Sequence, residues 1–139
     1  MTIRPFEISD SKPVIALWRE CGLIVPWNDP QRDIERKMQV QPELFFVGEI
    51  EGRIVATLMA GYEGHRGWLN YVAVAPDAHR QGLGRQIVEH AIEQLRKRGC
   101  PKINLQVRTS NAEVIAFYES LGFQVDDATS LGMRLISDG

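Results

Sequence analysis

The 139 residues contain only two cysteines, Cys21 and Cys100, and three histidines, with no Cys-x-x-Cys pair and no His-x-x-x-His spacing. A disulfide framework and a zinc-type ligand set are therefore excluded. Both thiols are expected to be free, and no metal is expected. No run of eighteen apolar residues exists, and the N-terminus passes directly into Ile3, Arg4, Phe6 and Ile8 with polar residues between them. That pattern is neither a membrane span nor a secretory leader, which makes the cytoplasm the expected compartment. Charge of one sign is missing too: 16 Lys and Arg stand against 18 Asp and Glu, for a net charge of −2. Neither nucleic acid nor an anionic membrane is an expected partner, because there is no global basic field to hold them. The cluster Arg96-Lys97-Arg98 sits at a helix C-terminus, where it complements the dipole. Repeats, low-complexity tracts and long Pro/Gly/Ser linkers are absent. Residues 1–139 are expected to form one domain, of a size that buries roughly two-thirds of its unfolded surface.

What is present is clear periodicity. Thr2 to Ile8 alternates like a strand, and Ser9 or Asp10 can cap a helix through Val14, Leu17 and Trp18 to Gly22. Asp29-Pro30 starts a second helix with Ile34 and Met38 on one face. Leu44 to Ile50, a Glu51-Gly52 turn and Ile54 to Tyr62 read as a β-hairpin, and Trp68 to Val74 as a further strand. Leu83, Ile87, Val88, Ala91, Ile92 and Leu95 then recur at helical period, a stripe for core packing. Gly99 ends that helix, Ile103 to Val107 reads as a buried strand and Val114 to Leu121 as the last helix. Phe123 to Val125 and Leu131 to Ile136 are expected to finish the sheet, giving the order β-α-α-β-β-β-α-β-α-β-β.

The most informative stretch is Trp68 to Gly84. A strand ending in Val72-Ala73-Val74-Ala75-Pro76 runs into His79-Arg80-Gln81-Gly82-Leu83-Gly84 and straight on into the long helix. A strand stopped by proline, a turn with two glycines and a helix start leave several backbone N–H groups unpaired and aligned. With roughly half a positive charge at the helix N-terminus, a pyrophosphate suits such a turn. A Walker A loop does not match, since Gly84 is followed by Arg85-Gln86 and no hydroxyl is placed for a metal. A dinucleotide fingerprint does not match either: Ile87 stands where a third small residue belongs, and the turn lies mid-chain.

The stretch resembles the coenzyme A site of the GCN5-related N-acetyltransferase (GNAT) family, whose signature is Arg/Gln-x-x-Gly-x-Gly/Ala after a V-x-V-x-P strand. Gly82 and Gly84 fall on the small-residue positions and Pro76 is correctly spaced, whereas His79 stands where the family has Arg or Gln, with Arg80 beside it. A second match lies about thirty residues downstream, at Asn111-Ala112-Glu113-Val114-Ile115-Ala116-Phe117-Tyr118-Glu119-Ser120-Leu121-Gly122-Phe123. It is similar to the family segment in which Asn precedes a short helix that carries Tyr and closes with Leu-Gly-Phe. Read structurally, Asn111 is also a good helix cap and Gly122 a good left-handed terminator. Pro-Trp-Asn-Asp-Pro, Gly-Tyr-Glu-Gly-His-Arg-Gly and the Ser-Leu-Gly-Met-Arg-Leu ending resemble the small bacterial YpeA-type branch, which lends no defined acceptor.

The resemblance implies an α/β fold of the mixed α+β kind: one central, mostly antiparallel mixed sheet of about seven strands flanked by about four helices. It implies acetyl transfer from acetyl-CoA to the amine of a small molecule, peptide or protein, by direct attack on the thioester. The pantetheine arm would pair with Tyr71, Val72, Ala73 and Val74 as an added strand. The pyrophosphate would sit on Gln81, Gly82, Leu83, Gly84 and Arg85, with His79 and Arg80 at its edge. Asn111 would touch the arm, and Tyr118 would face the sulfur as general acid. In the residues themselves, Glu63 and His65, in the loop before Trp68, are the candidates for a base, set against a plain polar surface loop. Cys100 has no evident activating partner and is not read as a nucleophile. Trp27, Asn28 and Asp29 belong to a segment that walls the acceptor cleft in this family. There Trp27 and Asp29 could hold an ammonium group, or could merely pack and cap. The alternatives are a non-catalytic acyl-CoA binding module and, more weakly, a scaffold. A homodimer is left open, because an open sheet has edges to cover.

Overall fold

In the computed structural model, which describes residues 1–139, five strands form one sheet in the order β1-β2-β3-β4-β5. They are β1 (Thr2–Pro5), β2 (Phe45–Ile50), β3 (Arg53–Tyr62), β4 (Gly67–Val74) and β5 (Ile103–Leu105). The first four pair antiparallel, and β5 joins β4 in parallel. The helices are α1 (Ser11–Glu20), α2 (Pro30–Lys37), α3 (Leu83–Lys97) and α4 (Ala112–Ser120). No helix is long and apolar enough to cross a membrane.

Each helix lies where its apolar stripe directs it. Val14, Leu17 and Trp18 of α1 and Ile34 of α2 pack with Phe45, Val47 and Ala73 on one face of the sheet. Ile87, Val88, Ala91 and Leu95 of α3, with Tyr118 of α4, pack with Leu58, Ala60 and Leu69 on the other. Side chains of alternate strand residues feed the two layers, and each fully buried Leu, Ile or Val contributes roughly 1.5–3 kcal/mol relative to exposure. The α2 start is as expected: the Asp29 carboxylate accepts from the amides of Gln31 (3.0 Å) and Arg32 (3.2 Å), with Pro30 in the first turn.

One chain of polar contacts runs through the first layer. The Trp18 indole, wholly buried, donates to Thr57 Oγ1 at 2.9 Å, and the Thr57 hydroxyl donates to the Tyr71 carbonyl at 2.9 Å. Thr57 is itself wholly buried, so this hydroxyl satisfies a donor on one side and an acceptor on the other.

The sheet has five strands, which corrects the expected seven. Phe123–Val125 and Leu131–Ile136 form no ladder, and β5 ends at Leu105, short of the expected Val107. The reason is tertiary. Alternating apolar residues need an edge to pair with, and the last segment is held elsewhere by its polar residues. Arg134 donates to Asn28 Oδ1 at 2.6 Å, and Asp138 takes both ends of the Arg36 guanidinium at 2.8 and 2.9 Å.

Replacing Thr57 by valine keeps the shape but strips both bonds, so Thr57→Val should lose about 1–3 kcal/mol while Thr57→Ser keeps most of it. Urea unfolding is the check, and a valine variant as stable as the parent would show that the contact chain holds nothing.

Candidate active site

The site begins with an irregularity in β4. Thr57 pairs with Ala73, but Met59 pairs with Asn70, so Tyr71 and Val72 together oppose Leu58. This is a bulge, and it bends the strand. Tyr71 carries a φ of 49°, a left-handed conformation that costs an ordinary residue about 1–2 kcal/mol. Three contacts hold it there. Its carbonyl takes the Thr57 hydroxyl, its ring stacks on Trp18 at 3.8 Å, and its hydroxyl donates to Asp33 Oδ2 at 2.7 Å. Burial, then the adjacent Asp33 carboxylate, pushes the Tyr71 phenol well above its usual range.

The bend decides what β4 offers. Only Gly67, Trp68 and Leu69 pair with β5, opposite Ile103, Asn104 and Leu105. The ladder ends at Leu69, opposite the last residue of β5, so the β4 edge from Asn70 to Val74 pairs with no strand on that side. An unpaired parallel edge is a template for an extended ligand with amide groups.

At the end of that edge lies the turn into α3. Arg80 (φ 68°) and Gly82 (φ 74°) are both left-handed and flank Gln81, a curl that turns successive amides inward. Gly82 occupies the cap position of α3 and no side chain caps the helix, so the first-turn amides are left for an outside acceptor. Gly84 is closely approached: a β-carbon there would sit 3.3 Å from Phe117 Cζ of α4, which would have to give by a few tenths of an ångström. Close packing of α3 on α4 thus ties the turn to the helix that carries Tyr118.

Tyr118 is buried, with its ring edge-on to Phe117 (5.1 Å) and Phe123 (5.5 Å). Burial alone pushes its phenol up to about 12. Its ring lines a cleft along β5. Tyr71 to Val74 and Arg80 to Arg85 thus follow one another along the β4 edge into α3, and Tyr118 belongs to the layer against which Val72 and Val74 pack.

The remaining candidates lie as follows. The His79 ring Nε2 is 2.9 Å from the Val74 carbonyl, so Nε2 is the protonated donor and the ring ties the turn to the end of β4. Asn111 caps α4, its Oδ1 accepting from Val114 N at 3.3 Å. Glu63 accepts from the amides of His65 (2.9 Å) and Arg66, closing its own exposed loop. That loop enters β4 at Gly67, four residues and so roughly 13 Å before Tyr71. Glu63 lines a small pocket with Lys37, Trp68 and Asn70, at the start of the unpaired β4 edge, and His65 is exposed in the same loop. Trp27 is 55% exposed, Asn28 accepts from Arg134, and Asp29 caps α2. The Asp29 amide also donates to Asp138 at 3.4 Å, and the Asp138 carboxyl is held down to about 2 by the Arg36 guanidinium.

Asp33 was not among the sequence candidates, yet it is the carboxylate the fold hydrogen-bonds to a residue of the bulge. Nothing in the local pattern marks it, because the contact joins residues 38 positions apart. Lys37 was missed too. Its ammonium is buried against the Ala60 carbonyl, and burial lowers its pKa.

The sequence profile of the acetyltransferase (GNAT) family matches residues 11–123. The chain belongs to the GNAT acetyltransferase family. It is similar to an acetyltransferase of Yersinia enterocolitica, 47% identical over 138 residues and 99% of this chain and 98% of that one. A Pectobacterium atrosepticum acetyltransferase is 46% identical over the same shares. Among solved structures it resembles the ribosomal-protein-S18-alanine N-acetyltransferase of Escherichia coli, with a TM-score of 0.77 and 35% identity over 92% of this chain and 79% of that one. Naa20 of Chaetomium thermophilum, solved with a bisubstrate analogue, matches at a TM-score of 0.70 and 26% identity, over 87% of this chain and 70% of that one.

Because burial favours the neutral phenol, Tyr118 adds stability that is full below its ordinary value of 10 and is lost as pH rises towards 12. A carbon-13 NMR titration of the Tyr118 ring should find it protonated through pH 10.5. A midpoint near 10 would mean that its hydroxyl stands in open water.

Proposed function

We propose that this GNAT acetyltransferase takes the acetyl group of acetyl-CoA and passes it to an amine by direct attack on the thioester. The observation that carries this reading is the continuous run from the unpaired β4 edge into the uncapped α3 N-terminus. Asn70 to Val74 supply peptide groups for a pantetheine arm, and Gln81 to Arg85 supply amides for a pyrophosphate. Acetyl-CoA would contribute the activated acetyl thioester. No metal is invoked, and no group of three or more His, Cys, Asp or Glu side chains that could hold one occurs in the structure.

The residues divide the work as follows. The bulge at Tyr71 and Val72 turns β4 amides towards the place where a thioester oxygen would gain charge. Holding amine and thioester in near-attack geometry can supply roughly 7–11 kcal/mol, so proximity is the dominant effect. Tyr118 stays protonated and donates a hydrogen bond to the departing sulfur. With a phenol held near 12 against an ordinary thiol near 8.5, hydrogen bonding as charge develops matters more than complete proton transfer. Asp33, which accepts from the Tyr71 hydroxyl, is the group we assign to receive the amine's proton, with Glu63 and His65 as the alternatives. The α2 start and the exposed Trp27 form the wall along which the amine approaches. A purely binding role is disfavoured by a buried phenol that makes no structural hydrogen bond yet lines the cleft.

Calorimetric titration with acetyl-CoA, beside free CoA and NAD, tests the cofactor. Micromolar binding of the CoA species alone is expected, and no binding would overturn the reading. With an amine panel, Tyr118→Phe should lower turnover by about 10²-fold or more with CoA affinity nearly intact. Equal turnover in both proteins would remove Tyr118 from the chemistry. Asp33→Asn should cost at least about tenfold in kcat/KM, whereas Glu63→Gln and His65→Ala should leave it unchanged. The opposite ranking would return the base to the loop before β4.

A further inference from the structure

Lys37 is a buried cation without an anion. Its side chain runs from the last turn of α2 to the sheet, where the ammonium donates to the Ala60 carbonyl and only 9% of the residue is exposed. None of the molecule's ion pairs includes it. Glu43, whose charge acts on it, is drawn off by Arg98 at 3.4 Å. One of the three N–H donors is used, and two are left. An ammonium taken out of water is costly unless a counter-charge joins it, and burial accordingly lowers the Lys37 pKa.

The ammonium is not sealed in. Lys37 lines a pocket of about 350 Å³ together with Val40, Gln41, Glu63, Trp68 and Asn70. Two of these side chains are already engaged. Gln41 both donates to and accepts from the Tyr62 backbone at 2.8 Å, and Glu63 accepts from the amides of His65 and Arg66. The Asn70 amide and the Trp68 indole, on exposed residues, bond to nothing else in the molecule. The pocket therefore offers one cation and two neutral donors to a group that only accepts and carries a single negative charge. A carboxylate is such a group. A phosphate dianion suits the pocket less, because Lys37 is its one cation and Glu63 lines it too.

Asp33 and Lys37 stand four residues apart on α2, hence on one face of the helix and roughly 6 Å apart along its axis. Asp33 accepts from the Tyr71 hydroxyl and Lys37 donates to the Ala60 carbonyl, so both look onto the sheet beside the free β4 edge, where Asn70 precedes Tyr71. A negative group at one end and a positive group at the other match a molecule whose amine and carboxylate lie about a helical turn apart. An α-amino acid carries its two groups on one carbon and is too short for that span. We propose that the acceptor carries a carboxylate several bonds from its reacting amine, and that Lys37, with Asn70 and Trp68, receives it. This chemistry is shared by ω-amino acids and by peptides whose first residue is glutamate. The inference rests on the acetyl-transfer reading and on Asp33 as the amine's end of the cleft. A bound carboxylate would also supply the counter-charge that Lys37 lacks.

The test offers acceptors in pairs that differ only in charge: γ-aminobutanoate beside γ-aminobutanamide, and a C-terminally amidated Glu-Ala-Ala peptide beside Gln-Ala-Ala. In one pair the acid should exceed its amide by about tenfold or more in kcat/KM, chiefly through KM, and which pair does so separates a small acceptor from a peptide. Lys37→Met keeps the reach of the side chain without its charge, and the preference should fall to about twofold or less. Asn70→Ala, a change at an exposed side chain that leaves the interior alone, should narrow it in the same direction. Carbon-13 NMR of the lysine Cε groups reads binding without acetyl-CoA: the preferred acid should raise the Lys37 pKa, and its amide should not. Acid and amide turned over alike, a preference untouched in both variants, or a Lys37 titration that neither acid moves would overturn the proposal. The NMR arm needs no turnover. A Lys37 shift in a protein that transfers no acetyl would support the carboxylate site and count against the acetyl-transfer reading, whereas acetyl transfer blind to the carboxylate would sink the site alone.

Discussion

The structure depends on one strained residue and the contacts that over-determine it. Tyr71 sits in a left-handed conformation that costs it about 1–2 kcal/mol, and a buried relay from Trp18 through Thr57 to its carbonyl keeps it there. The bulge lies just past Leu69, where the ladder to β5 ends and the free edge leading to the α3 turn begins. The strain is local, and it sits where the parallel pair opens into a fork.

The fork unites features that otherwise look separate. Its inner edge presents peptide groups, its end presents the uncapped amides of α3, and its far side brings α4 close through the contact between Gly84 and Phe117. That last contact sets α4, and the buried phenol it carries, against the start of α3. Burial keeps Tyr118 neutral, and the same burial gives it the hydrophobic surroundings in which a hydrogen bond to sulfur is strongest. The acceptor wall works differently. Tyr71 reaches through its hydroxyl to Asp33 on α2, so one residue links the bend in β4 to the helix along which an amine would approach.

Several of the candidate site residues also hold local structure. His79 donates to β4, Asn111 and Asp29 cap helices, and Glu63 closes its own turn. Each is a polar side chain next to a helix end or turn, where orphan amides and carbonyls are close at hand. Asp33 behaves in the opposite way. It lies in the first turn of α2, where Asp29 already caps the amides, and its carboxylate bonds Arg36 of the same helix and the Tyr71 hydroxyl of β4.

By itself the sequence determined the helices, the hairpin, the β4 strand, the glycine turn into α3 and the family signatures. All of these are written in spacing over short distances: the apolar period of Leu83 to Leu95, the Asp29-Pro30 start, the two glycines after Pro76. Tertiary structure alone decided the bulge at Tyr71, the pairing of Asp33 with it, and the number of strands. The bulge arises because Thr57 and Trp18 meet Tyr71 across the core, with 14 and 39 residues separating the bonded pairs. Leu131 to Ile136 carries the alternation of a strand, yet Asp138 and Arg134 draw it to α2. An alternating pattern states which side of a strand is apolar, and only the rest of the molecule supplies the edge to which that strand can bond.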